Sequence, residues 1–100
     1  MLENLTSGDF RRFINEVFGV TLDADQRLEL RLVDVRDLGR PQGSRFARLQ
    51  PFSLLFRGPG EIYLPQRIYT LEHGVMGTLE IFLVPIGIDD EGYQYEAIFN

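Results

Sequence analysis

Four side chains in the second half of the chain could move protons: His73, the sole histidine, and Glu72, Glu80 and Glu96, each in a stretch that reads as a strand. Two carboxyls held about 5 to 9 Å apart could act as acid and base on a glycosidic bond, with Arg57 to orient the sugar. A hydrolytic triad would have to combine His73 with Ser53 or Ser44 as nucleophile and Glu72 as the acid. The Gly-x-Ser-x-Gly elbow that exposes such a serine does not occur. Beside Gly74 at a strand end, His73 reads more simply as a turn or capping residue. The glutamates read equally well as outer-face partners of Arg57 and Arg67, each pair contributing about 0.2 to 1 kcal/mol. One histidine and no cysteine give no metal-ligand spacing, and the single glycines at 58, 60, 74, 77, 87 and 92 match no phosphate loop. No cofactor and no metal are expected.

Two further groups suggest binding. Arg36, Arg40, Arg45 and Arg48 surround Phe46 and could hold a phosphate or an acidic partner. Three of these arginines lie in the run DLGRPQGSRFARLQ, 37–50, whose glycines and proline read as a mobile loop that leaves the side chains unfixed. Tyr63, Tyr69, Tyr93 and Tyr95 are expected to be partly exposed, and tyrosine is enriched at protein interfaces.

The elements that must carry these residues are mostly strands. PFSLLFRGP, 51–59, is the most apolar short run and is closed at both ends by proline. Phe52, Leu54 and Phe56 share one parity, Ser53, Leu55 and Arg57 the other, and Gly58 with Pro59 would stop a helix, so 51–57 is a central strand. Further strands are expected over 28–36, 66–72, 78–85 and 93–99. In the first of these the alternation slips at Leu32 and Val33, which suggests a bulge. Pro85 is poorly tolerated inside a central strand, so that strand should end there or lie at an edge. Ahead of the sheet, Phe10, Phe13, Ile14, Val17 and Phe18 fall on one helical face, predicting a helix over 7–18. Thr6 or Ser7 would cap it, Asp9 would sit in its first turn, and Gly19 would stop it, leaving Val20 to Leu22 for a short strand.

The spacing of the strands and their tight turns favours antiparallel pairing, and crossover helices are missing. The expected fold is α+β, mainly β: an N-terminal helix packed on a small antiparallel barrel or sandwich of five to six strands, in one domain over 1–100. A chain of 100 residues that is 44% hydrophobic, with eight phenylalanines, can bury such a core without disulfides. Ten arginines against fifteen acids give a net charge of −5, which repels nucleic acid and anionic lipid. No run approaches the roughly 20 apolar residues of a membrane span, and the start lacks the pattern of a signal peptide. The expected place is the cytoplasm or a larger assembly.

The segments FSLLFRGP, LPQRIYTLEH and GTLEIFLVPIGIDDEGYQYEAIFN carry a family likeness. They resemble a small bacterial family known only as a domain of unknown function, whose members read FSLLFRGP, LPQ, Y-x-LEH, LG-x-LE-x-FLVP-x-G and YEA-x-FN in that order. Met76 departs from it, where leucine is more usual. The resemblance implies a natural, self-contained domain, brings no catalytic residue, and leans toward phage-tail-like surroundings.

The reading that follows is a non-enzymatic protein-interaction or structural module, within a phage-tail-like or secretion-related assembly. Its partners would be proteins, a second copy included, and neither nucleic acid nor membrane. The alternative is a small hydrolase or carbohydrate-active domain using Glu72, Glu80 or Glu96 with His73.

Overall fold

Phe52, Leu54 and Phe56 alternate with polar or smaller neighbours, and in the computed structural model all three side chains are fully shielded from solvent. The structure describes residues 4–23, 25–39 and 50–100. In chain order these form helix α1 (Ser7–Arg11) and strands β1 (Val17–Thr21), β2 (Arg27–Asp37), β3 (Phe52–Gly58), β4 (Arg67–His73), β5 (Gly77–Asp89) and β6 (Gly92–Phe99). The strands close into an antiparallel barrel in the order β1-β2-β3-β6-β5-β4. Closure rests on two residue pairs, Gly19 with Glu72 and Val20 with Leu71.

Alternation explains the barrel. Leu28, Leu30 and Leu32 of β2, Leu71 of β4, Ile81 and Leu83 of β5, and Tyr95, Ala97 and Phe99 of β6 all point inward with the β3 set. Full burial of each large apolar side chain contributes about 1.5 to 3 kcal/mol. The slip in the β2 pattern is a register shift between Leu32 and Asp34, after which Val35 takes the inward place opposite Leu54.

The helix is much shorter than the periodicity predicts. Helical structure ends at Arg11, and 12–15 make a turn in which Asn15 adopts a φ of +78°. Its start is well capped: Thr6 Oγ1 accepts from the Asp9 amide, and Asp9 Oδ2 accepts from the Thr6 amide. Beyond the turn the chain is claimed by β2, since the Asn15 amide donates to Leu32 O at 2.6 Å and the Leu32 amide donates to Glu16 O at 3.0 Å. Val17, Phe18 and Val20, residues suited to strands, then pair along β2. The helical spacing of Phe10 and Phe13 with Phe18 therefore arises from a turn followed by a strand. Phe10 is buried 5.9 Å from the Phe52 ring and 5.6 Å from that of Phe99. Gly19 lies inside β1 and stops nothing.

Of the two outcomes expected at Pro85, the structure takes the edge: β5 runs on to Asp89, past the proline. The last β4 partner of β5 is Arg67, opposite Leu83, so beyond it β5 pairs with β6 alone. A register shift between Pro85 and Gly87 places the proline at a bulge beside this vacant edge, where a missing N–H is tolerated.

Candidate functional site

Because β4 alternates inward at Tyr69 and Leu71, its last residue, His73, also turns inward. The ring lies 4.5 Å from Phe13 and 4.6 Å from Phe18, stacked on the latter. Nδ1 accepts from the amides of Val75 at 3.1 Å and Met76 at 3.2 Å. Those two donors fix the proton of the neutral ring on Nε2, which donates to Glu16 Oε1 at 2.7 Å. The lone pair that a general base would use is thus occupied by the 74–76 turn. Ser53 is buried at the opposite parity, in register with Arg36 and Ile98, so the wall of the barrel separates it from His73.

The three glutamates point outward and are dispersed. Glu72 is paired with Arg27 at 3.1 Å. Glu80 lines a depression of about 310 Å³ together with Ile68, Phe82, Ile98 and Asn100. Glu96 lines a separate, smaller one with Asp34, Arg36 and Leu55. Glu80 sits opposite Thr70 and Glu96 opposite Val84, four residues further along β5. At 3.3 Å per residue and 4.8 Å per strand their backbones are about 14 Å apart, and the two side chains line separate depressions. Glu72 and Glu80 are diagonal neighbours, and Glu72 is engaged by Arg27 while Glu80 faces the depression beside Phe82.

The arginines expected to pair with these glutamates go elsewhere. Arg57 donates to Asp89 Oδ1 at 2.5 Å. Asp89 also accepts from the Glu91 amide and from Gln94 Nε2, each at 2.8 Å. The Arg57 hydrogen bond, aided by that amide, holds the Asp89 carboxyl down to about 2. The Arg67 guanidinium lies 4.9 Å above the Tyr69 ring. A groove of about 840 Å³ outside β2 and β3 is lined by Arg27, Arg31, Arg57, Glu29, Glu61 and Glu91 among others, a balanced set of charges. No cluster of three or more potential metal ligands occurs among the described residues.

Of the tyrosines, Tyr69 is a correction: it is only 3% exposed, inside the barrel, and donates to Pro65 O. Burial raises its pKa. Tyr95 is likewise interior, its hydroxyl accepting from the Leu64 amide at 3.0 Å. Tyr63 is exposed and meets the half-buried Tyr93 edge-on at 5.4 Å. Arg40, Ser44, Arg45, Phe46 and Arg48 lie outside the described residues.

The feature that sequence reasoning missed is on the outer wall of β4, β5 and β6. Ile68 is 61% exposed, Phe82 47% and Ile98 54%. Ile68 faces Phe82 in register, and extending the Val84 to Glu96 pairing by two residues brings Ile98 beside Phe82. Three large apolar side chains therefore form a continuous ladder across three strands. The signal lay in the parity: Ile68 shares that of Glu72, and Phe82 that of Glu80.

A family profile described as a domain of unknown function (DUF6916) matches residues 5–99. The chain belongs to this family. The DUF6916 match takes in α1 and all six strands. Comparison with curated proteins and with solved structures finds no match. Among the described residues no helix is long and apolar enough to cross a membrane.

Proposed function

We propose that this DUF6916 barrel is a non-enzymatic interaction module that receives a protein partner on the outer wall of β4, β5 and β6. The ladder of Ile68, Phe82 and Ile98 carries the reading. Single exposed apolar residues are ordinary, whereas a contiguous set on one sheet face is the usual mark of a contact surface. The face serves, and the edge does not: the unpaired stretch of β5 beyond Leu83 is blunted by Pro85 and its bulge, which disfavours addition of another strand. The engaged lone pair of His73 and the separation of Glu80 from Glu96 lend the hydrolase alternative no comparable support.

The test is an Ile68→Ser/Phe82→Ser/Ile98→Ser variant, compared with the native chain by quantitative capture from the source cells. The variant should keep its circular dichroism and a cooperative melt, lowered only by the lost strand propensity, since only outward side chains change, and should lose proteins that the native chain retains. Identical captured sets would overturn the proposal.

A further inference from the structure

We infer that the occupant of this wall is a protein segment with an apolar residue flanked by lysine or arginine. The inference rests on the docking reading above and adds the chemistry of the partner. Two carboxylates flank the ladder on its own face: Glu80, two residues before Phe82 on β5, and Glu96, two residues before Ile98 on β6. Glu80 shares its depression with Ile68, Phe82 and Ile98. Among the described residues neither Glu80 nor Glu96 has an ion pair. Their neighbours are satisfied, Glu72 by Arg27 and Asp34 by Arg36. The nearest arginine on β4, Arg67, is turned over the Tyr69 ring.

A cation fits this wall better than any neutral group. A lysine or arginine stem can lie along Phe82 while its head reaches Glu80, covering apolar surface and pairing the charge together. The backbones of Glu80 and Glu96 stand about 14 Å apart with the ladder between them, close to the span of four residues in an extended chain. The matching segment reads cation, spacer, apolar residue, spacer, cation, with all three functional side chains on one side. A second copy offers no such match. The chain carries a net charge of −5, and two of these walls face to face would set unpaired carboxylates against one another.

The probe is a capped peptide, KTFTKTFTK, with ETFTETFTE as its charge-reversed counterpart, titrated into ¹⁵N-labelled native protein. The cationic peptide should shift the amides of Ile68, Glu80, Phe82, Glu96 and Ile98, and the acidic one should not. Glu80→Gln/Glu96→Gln should bind about three- to tenfold more weakly, as expected for loss of two exposed pairs. Glu29→Gln/Glu61→Gln, the same charge change at the groove outside β2 and β3, should bind like the native chain; equal weakening by both doubles would mean attraction to net charge and would overturn the inference. Equal binding of both peptides on the ladder would also overturn it while leaving apolar docking in place. Shifts confined to other surfaces, unchanged in the Ile68→Ser/Phe82→Ser/Ile98→Ser variant, would remove the docking reading itself. A solution mass at a multiple of 11.5 kDa that falls to one chain in Phe82→Ser would give the wall to a second copy and end the inference.

Discussion

Gly92→Ala should cost far more stability than Gly77→Ala, although both glycines hold a positive φ, +118° and +80° respectively. A Cβ at position 77 would meet nothing within 4 Å, so alanine there bears only the backbone strain of the left-handed region. That strain is about 1 kcal/mol, a fall in melting temperature of roughly 4 to 8 °C for a domain of this size. A Cβ at position 92 would stand 2.0 Å from the carbonyl oxygen of Gly58 and 3.1 Å from its carbon. Ordinary C···O contact is about 3.3 Å, so the start of β6 would have to withdraw from the end of β3 by about 1.3 Å. That movement breaks the pairing of Gly58 with Tyr93 and disturbs Asp89 with Gly92. Two weakened ladder bonds at about 0.5 to 1.5 kcal/mol each, added to about 1 to 3 kcal/mol of strain, give about 2 to 6 kcal/mol. At the middle of that range the melting temperature falls by more than about 15 °C. Thermal and urea unfolding followed by circular dichroism would measure both variants. Equal losses, or a loss at Gly92 no larger than at Gly77, would refute the close approach of β3 and β6 on which the barrel order depends.

Tyr95→Phe should destabilise the barrel by about 1 to 3 kcal/mol, because the Leu64 amide loses its buried acceptor while the ring still packs; urea unfolding measures it. Gly19→Ala should cost under about 1 kcal/mol, since the new methyl meets the far end of the long Arg27 side chain at 2.4 Å, which can swing aside, and salt titration of stability should show the Arg27 to Glu72 pair weakened. Asp89 is depressed from 3.8 to about 2. A depressed carboxyl stabilises the fold above its unfolded value, and that contribution is lost as pH falls from about 4 through about 2. Acid unfolding of Asp89→Asn should therefore lack the part of the native chain's acid limb that falls in this window; an unchanged limb would remove Asp89 as its source.

Strand parity was legible wherever one face is wholly apolar. Phe52, Leu54 and Phe56 announce an inward face by alternation alone, and the slip at Leu32 and Val33 marks a bulge because a change of parity admits little else. The helix was misjudged because Phe10, Phe13 and Phe18 are all buried, as a helical face would be, although a turn and the first strand of the barrel place them there. Hydrogen bonds from β2 to Asn15 and Glu16 decide that contest, and a residue pattern confined to 7–18 holds no trace of them. Tyr69 was misplaced for a related reason. The enrichment of tyrosine at interfaces suggested the surface, but the Pro65 carbonyl is close enough to satisfy its hydroxyl inside.

The same logic separates groups that serve the fold from those that do not. His73 caps a turn, Arg57 and Asp89 tie β3 to the far end of β5, and the hydroxyls of Tyr69 and Tyr95 hold the 62–65 segment against the barrel. Each of these has a structural partner that accounts for its chemistry. Ile68, Phe82 and Ile98, with Glu80 and Glu96 beside them, have none among the described residues, and they stand together on one wall. Threonine at the three apolar positions would keep the strands and spare the exposed surface. Apolar residues and unpaired carboxylates gathered on one face match the needs of a contact made outside the chain, and this wall is where disruption should separate binding from folding.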